Sequence, residues 1–128
     1  MKKYILALAC VLAFTACVTS SKESNTPCFE QDVYKLYPTS NMWTFIKLNT
    51  CDGRLWQVQY DVRGENRFEV ILSDIRLANT ENSTPGRFEL YETQNMYNFI
   101  LLDQISGSTW QAQWSMEEEH RGIVPISQ

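Results

Sequence analysis

The sequence predicts an all-β domain of about eight antiparallel strands. Three observations predict it: segments that alternate apolar and polar residues, small turn residues between those segments, and a repetition of the whole pattern at an offset of 54 residues. The chain has 128 residues, 44% of them hydrophobic and 12% aromatic. This composition suits one globular domain and excludes a disordered or collagen-like chain.

The repeat runs without a gap. The segment Leu36–Tyr60 aligns with Leu90–Trp114, and 12 of the 25 aligned positions are identical, within the shared pattern NMxxFIxL followed by GxxWQxQ. Further identities continue as far as Ser73 and Ser127. We therefore predict repeat one at about residues 33–74 and repeat two at about residues 87–128, forming a small barrel or sandwich with pseudo-two-fold internal symmetry.

Each repeat contains four predicted strands. In order along the chain they are Val33–Tyr37, Trp43–Asn49, Leu55–Asp61 and Phe68–Leu72 in repeat one, and Arg87–Tyr91, Tyr97–Asp103, Trp110–Trp114 and Ile123–Ile126 in repeat two. The second strand is apolar on nearly both faces, which is typical of a central strand. Gly53 and Gly107 follow it in short turns that need positive φ, so each repeat should contain a tight hairpin. Asn79–Gly86 is the predicted loop between the repeats.

The third strand of each repeat has two distinct faces. In repeat one, large apolar side chains alternate with Gln57 and Gln59, and repeat two preserves this order. We expect the aromatic face to form the core and the glutamines to face solvent. The aromatic residues predicted to be buried are Trp56, Tyr60, Trp110 and Trp114.

The N-terminus has the features of an export signal. Lys2 and Lys3 precede the apolar run Tyr4–Phe14, whose eleven residues are too few to span a bilayer. Small residues then lead directly to Cys17. This junction resembles a bacterial lipoprotein signal, although an ordinary secretory signal with an incidental cysteine is the alternative.

The lipoprotein resemblance implies a location. It implies that residues 1–16 are removed, that Cys17 carries acyl chains such as palmitate, and that residues 17–27 form a flexible tether to a single domain at residues 28–128. Val18 stands where aspartate would signal retention in the inner membrane. The resemblance therefore favours the outer membrane of a Gram-negative cell envelope.

Two cysteines, Cys28 and Cys51, remain in the predicted domain. In an oxidising compartment such a pair is expected to form a disulfide, and unpaired structural thiols are the alternative. A bridge between them would close a loop of about 22 residues and could stabilise the fold by about 3 kcal/mol.

The repeated hairpin carries two resemblances. An apolar strand ending in Leu102-Asp103, a turn with Gly107 and then Trp110 resemble a blade-forming repeat of bacterial propellers. Two such units cannot close a propeller within one chain. The tandem repeat is also similar to one in uncharacterised small bacterial lipoproteins, which implies a location and no activity.

The net charge and the motifs of the sequence exclude several classes of function. The formal charge is −4, and removal of Lys2 and Lys3 with the signal lowers it to −6, so nucleic-acid binding is not expected. The only histidine, His120, lies in a charged run, and no phosphate loop, serine elbow or metal-ligand spacing is present. We therefore predict no catalysis, no metal and no cofactor.

Aromatic and amide side chains point to binding instead. Trp43 and Tyr97 begin the second strands and are accompanied by Asn41 and Asn95. Flat rings beside amides suit the faces and hydroxyls of sugars, and they equally suit a protein interface. The predicted function is a lipid-anchored, non-catalytic binding or structural module, with a glycan or an envelope protein as partner.

The alternative function is a periplasmic inhibitor or immunity-type protein. Small, acidic, all-β lipoproteins resemble bacterial lysozyme inhibitors in size, location and charge. Under this interpretation Glu117, Glu118 and Glu119 form an acidic patch that steers a basic target such as a lysozyme.

Overall fold

Two four-stranded antiparallel sheets make up the fold in the computed structural model, which describes residues 32–127. Sheet 1 contains β1 (Tyr34–Pro38), β2 (Thr44–Asn49), β3 (Leu55–Gln59) and β4 (Phe68–Ser73), and sheet 2 contains β5 (Phe88–Glu92), β6 (Asn98–Asp103), β7 (Thr109–Gln113) and β8 (Gly122–Pro125). In each sheet neighbouring strands are also consecutive in the chain. The predicted all-β class is confirmed, and the sheets pack as a sandwich and do not close into a barrel.

A short 3-10 helix, Glu118–His120, is the one helical element among residues 32–127. No helix in this part of the chain is long and apolar enough to cross a membrane.

The hairpin turns follow the sequence prediction closely. Gly53 has a φ of 83° and Gly107 a φ of 77°, so both adopt the left-handed conformation that glycine accommodates without strain. Their backbone N–H groups donate to the carbonyl oxygens of Asn49 and Asp103 at 2.9 and 2.8 Å. Both turns therefore have the same geometry.

Each sheet has two faces, which we name after the tryptophan and the glutamine that its third strand places on them. The tryptophan face consists of Tyr34, Leu36, Phe45, Lys47, Trp56, Val58 and Ile71 in sheet 1, and of Phe88, Leu90, Phe99, Leu101, Trp110, Ala112 and Ile123 in sheet 2. The glutamine face consists of Tyr37, Ile46, Leu48, Leu55, Gln57 and Val70 in sheet 1, and of Tyr91, Ile100, Leu102, Thr109, Gln111 and Val124 in sheet 2.

The two sheets meet through unlike faces. The glutamine face of sheet 1 packs on the tryptophan face of sheet 2, and strands approach at β2 and β5 and at β4 and β8. The buried core residues are Ile46, Leu48, Leu55, Leu72, Ala78, Phe88, Leu90, Phe99, Leu101, Ala112 and Trp114. A two-fold axis would bring like faces together. The predicted pseudo-two-fold arrangement is therefore replaced by a head-to-tail one.

This packing corrects the predicted core of repeat one. Trp114 is buried as predicted and Trp110 is half-buried, but Trp56 is only half-buried and Tyr60 is 40% exposed. Gln57, predicted to face solvent, is fully buried. Alternation distinguishes the two faces of a strand, but it does not identify the face that meets the other sheet.

The loop between the repeats docks the first hairpin turn against sheet 2. Thr50 accepts a backbone hydrogen bond from Phe88 at 2.8 Å, and Asp52 accepts one from Leu77 at 2.8 Å. Cys51 lies buried between these two residues. Cys17 and Cys28 lie outside the described residues, so lipidation and the disulfide stay predictions.

Candidate binding cleft

A repeated turn positions the aromatic residue that precedes the second strand. In repeat two the Asn95 side-chain oxygen accepts the backbone N–H of Tyr97 at 3.0 Å, and the Thr93 hydroxyl donates to the carbonyl of Asn98 at 2.8 Å. In repeat one Asn41 accepts the N–H of Trp43 at 3.0 Å. Asparagine and threonine favour such turns because their short side chains replace a backbone partner.

The turn places Tyr97 against a buried indole. The ring centroids of Tyr97 and Trp114 lie 5.1 Å apart at an interplanar angle of 49°. Trp114 is buried, and its indole N–H donates to the carbonyl of Met96 at 2.8 Å, whereas Tyr97 remains 46% exposed. A ring that is fixed from behind and open in front can stack on a ligand with little loss of conformational freedom.

An open cleft of about 420 Å³ lies beside this ring pair. Its polar wall is formed by side chains of β6, β7 and the loop after β7. Gln113 donates to the carbonyl of His120 at 2.9 Å, and Asn98 accepts from Gln111 at 2.7 Å. The lining residues are Asn95, Tyr97, Asn98, Gln113, Trp114, Ser115, Met116, Glu117 and His120. The cleft therefore combines one exposed ring with amide and charged groups.

The rim of the cleft carries acidic groups. Glu117, Glu118 and Glu119 are all exposed, and a Glu117 carboxylate oxygen lies 2.9 Å from Nδ1 of His120. Arg121 holds the loop in place by donating to the carbonyl of Ser115 at 2.8 Å. The ligand atoms of Glu117, Glu119 and His120 lie within 4.8 Å of one another, so these residue types could hold a metal ion, although exposed acidic groups are common without one.

Repeat one contains a smaller cleft at the equivalent place. It measures about 160 Å³ and is lined by Trp43, Gln59, Tyr60, Asp61 and Asn66. The rings of Trp43 and Tyr60 lie 5.3 Å apart. The pKa of Asp61 is lowered because its carboxylate accepts the backbone N–H of Arg63, so this carboxylate stays ionised. The cleft of repeat two is the larger of the pair and the better candidate site.

The structure separates the predicted binding residues into two groups. Tyr97 lines the large cleft and Trp43 the small one, so these two residues do not share a site. The side-chain oxygens of Asn41 and Asn95 are engaged in their own turns. Their first role is to position the aromatic residues.

Sequence reasoning missed several cleft residues. Asn98, Met116 and His120 line the large cleft, although the sequence showed His120 only as part of a charged run. The offset of 54 residues is the signal that could have found the histidine, since it aligns with Asn66 at the small cleft.

Comparison with known protein families, curated proteins and solved structures found no match to this chain.

Proposed function

We propose that the protein is a non-catalytic binding module whose repeat-two cleft binds a short segment of a cell-envelope glycan. The observation that carries the proposal is Tyr97, which is 46% exposed and rests on the buried Trp114. Sugar rings present an apolar face that stacks on aromatic rings and hydroxyls that bond to amides. Gln113 and the rim carboxylate of Glu117 supply polar partners beside the ring.

A binding experiment with a matched control tests this function. The full-length protein and its Tyr97→Ala variant are measured on an array of bacterial envelope glycans that includes peptidoglycan fragments. We expect the variant to bind the best wild-type ligand roughly tenfold more weakly, because about 1.4 kcal/mol of stacking energy is lost. Tyr91→Ala serves as control, since Tyr91 is equally exposed on β5 and does not line the cleft.

Two outcomes contradict the glycan proposal. One is a wild-type protein that binds none of the glycans on the array. The other is an equal loss in the Tyr91→Ala control, which would assign the effect to general destabilisation.

A second candidate function follows from the rim. Three consecutive exposed glutamates beside an open cleft suit a basic protein such as a lysozyme, which would associate faster at low salt. Substitution of Glu117, Glu118 and Glu119 by glutamine should weaken capture of lysozyme at low salt and change little at high salt. Unchanged capture in the triple variant contradicts this function.

The proposed location is the cell envelope, by way of a lipid on Cys17. Processing of the full-length chain should be sensitive to globomycin and should be lost in Cys17→Ala. Normal processing of that variant contradicts the anchor.

We also propose the Cys28–Cys51 disulfide, which a thiol-labelling comparison before and after reduction tests directly.

A further inference from the structure

Each sheet uses one of its two faces in the core, and its other face stays free. The tryptophan face of sheet 1 and the glutamine face of sheet 2 are not covered by any of residues 32–127. The remaining two faces, which are their counterparts in the other repeat, pack on each other to form the core. We propose that a second copy of this chain places its sheet-1 tryptophan face on the sheet-2 glutamine face of the first, head to tail.

The repeat makes the free faces similar to the buried ones. Leu36 is 60% exposed, whereas its counterpart Leu90 is 4% exposed in the core. Tyr34 and Phe88 differ in the same way, at 54% and 0%. Ile100 and Leu102 on the free glutamine face are counterparts of the buried Ile46 and Leu48. Each free face therefore retains apolar residues at positions that are buried in the other repeat.

An ion pair at the edge of the internal interface also has an equivalent between two copies. Lys35 lies 3.5 Å from Glu89, its own counterpart in repeat two, and Tyr37 donates to the same carboxylate at 3.2 Å. At the junction between copies the equivalent pair is Glu89 of one copy and Lys35 of the next. The acidic and the basic residue take each other's places in this second pair, so the two charges are still opposite. Opposite charges favour this register over one that pairs like charges.

Lys47 distinguishes the free tryptophan face from the buried one. It occupies the position of Leu101, and its ammonium lies 4.8 Å from the ring centroid of Trp56 and pairs with Glu69. Covering a charge that already has a partner costs less than covering an unpaired one. Lys47 therefore weakens the contact without preventing it, so the association should be reversible.

Head-to-tail contacts either close into a ring or continue as an open chain. Rings of four-stranded sheets packed face to face close with roughly four to eight sheets. Because each chain supplies two sheets, a closed ring takes about two to four copies.

Native mass spectrometry of the full-length chain in a mild detergent tests the proposal with two variants. Leu36→Lys disables the sheet-1 face and Gln111→Lys the sheet-2 face, and both positions are exposed, so the fold itself is expected to be retained. We expect the wild type to associate and each variant to be monomeric, with a dissociation constant raised at least tenfold. Mixing the two variants should restore a 1:1 heterodimer and nothing larger, since each supplies the face that the other lacks.

The control is Met42→Lys, which adds the same charge at an exposed turn outside both faces and should associate like the wild type. A monomeric wild type overturns the proposal, including the case in which residues outside the described part of the chain cover a free face. Persistence of a homodimer in either single variant also overturns it, because that result requires like faces to pair.

Discussion

Asp103 forms a largely buried ion pair with Arg87. Its carboxylate is buried and accepts two hydrogen bonds from Arg87, at 2.7 and 3.0 Å, and further ones from the Ser106 hydroxyl and the backbone N–H of Ile105. Burial alone would raise its pKa, but these donors outweigh burial and lower the pKa to about 2. Asn49 occupies the same position in repeat one and makes the turn contact without a charge.

The lowered pKa predicts a specific loss of stability in acid. Because the folded-state pKa is below the unfolded value, the contribution of Asp103 is present above about pH 4 and is lost as the pH falls toward 2. Asp103→Asn should lower the free energy of unfolding at pH 7 by about 2 kcal/mol and flatten its pH dependence between pH 4 and 2. Urea unfolding at pH 7, 4 and 2.5 measures both effects. A variant that loses stability in acid as steeply as the wild type contradicts the assignment.

Gln57 is a buried polar residue with an incomplete set of partners. Its amide nitrogen lies 3.7 Å from the Met116 sulfur, and its carbonyl oxygen finds no hydrogen-bond donor among the described residues. Leaving such a group unpaired typically costs 1–3 kcal/mol. We expect Gln57→Met to stabilise the fold by about 1 kcal/mol in urea unfolding. Gln111→Met, the exposed counterpart, should change stability by less than about 0.5 kcal/mol, and equal effects at both positions would contradict the account.

At the scale of single residues, the spacing of Asn41 and Asn95 was visible in the sequence, but the role of their side chains was not. The spacing of Asn41 and Asn95 before aromatic residues is a real feature, but it is explained by turns in which each asparagine accepts the N–H two residues later. Residue type alone does not distinguish a ligand-binding amide from a turn-forming one, since both need the same hydrogen-bonding group.

The two hairpin turns are chemically alike but sit in different surroundings. A Cβ added at Gly53 would lie 2.9 Å from Leu77 and 3.2 Å from Phe88, whereas a Cβ at Gly107 meets nothing within 4 Å. Both glycines have positive φ, so alanine is strained at each position by about 1 kcal/mol.

The difference between the turns predicts unequal effects of one substitution. Gly107→Ala should cost about 1 kcal/mol from backbone strain, and Gly53→Ala should cost about 1 kcal/mol more because Leu77 and Phe88 must move. Thermal or urea unfolding of the two variants side by side measures the gap, with Gly107→Ala as the internal control. Equal losses would show that the loop between the repeats does not constrain the first turn.

At the scale of elements, the strands were predictable because their signals are local. The observed strands differ from the predicted ones by one residue at one or both ends, except β3, which ends two residues earlier than predicted, at Gln59. Alternation and turn glycines are properties of short segments and survive in any arrangement of the sheets. The buried face of repeat one was mispredicted because it depends on sheet 2, which lies 54 residues further along the chain.

At the scale of the whole molecule, the repeats share one core. Side chains from the glutamine face of sheet 1 and the tryptophan face of sheet 2 form a single cluster, and no second core cluster occurs within residues 32–127. Neither sheet buries its apolar residues without the other. We therefore expect the two repeats to unfold together, even though each repeat contains the same four-strand unit.

A single truncation in sheet 2 tests this coupling. Leu101 is fully buried, so Leu101→Ala should lower the free energy of unfolding by about 3 kcal/mol through lost contacts and a residual cavity. Hydrogen exchange should then show the same loss of protection in the amides of β2 and β3 as in those of β6 and β7. Lys47→Ala, at the equivalent but uncovered position of sheet 1, should cost less than about 1 kcal/mol. If β2 and β3 kept their protection while sheet 2 lost it, sheet 1 would be an independent unit and the shared core would not be what holds the two repeats together.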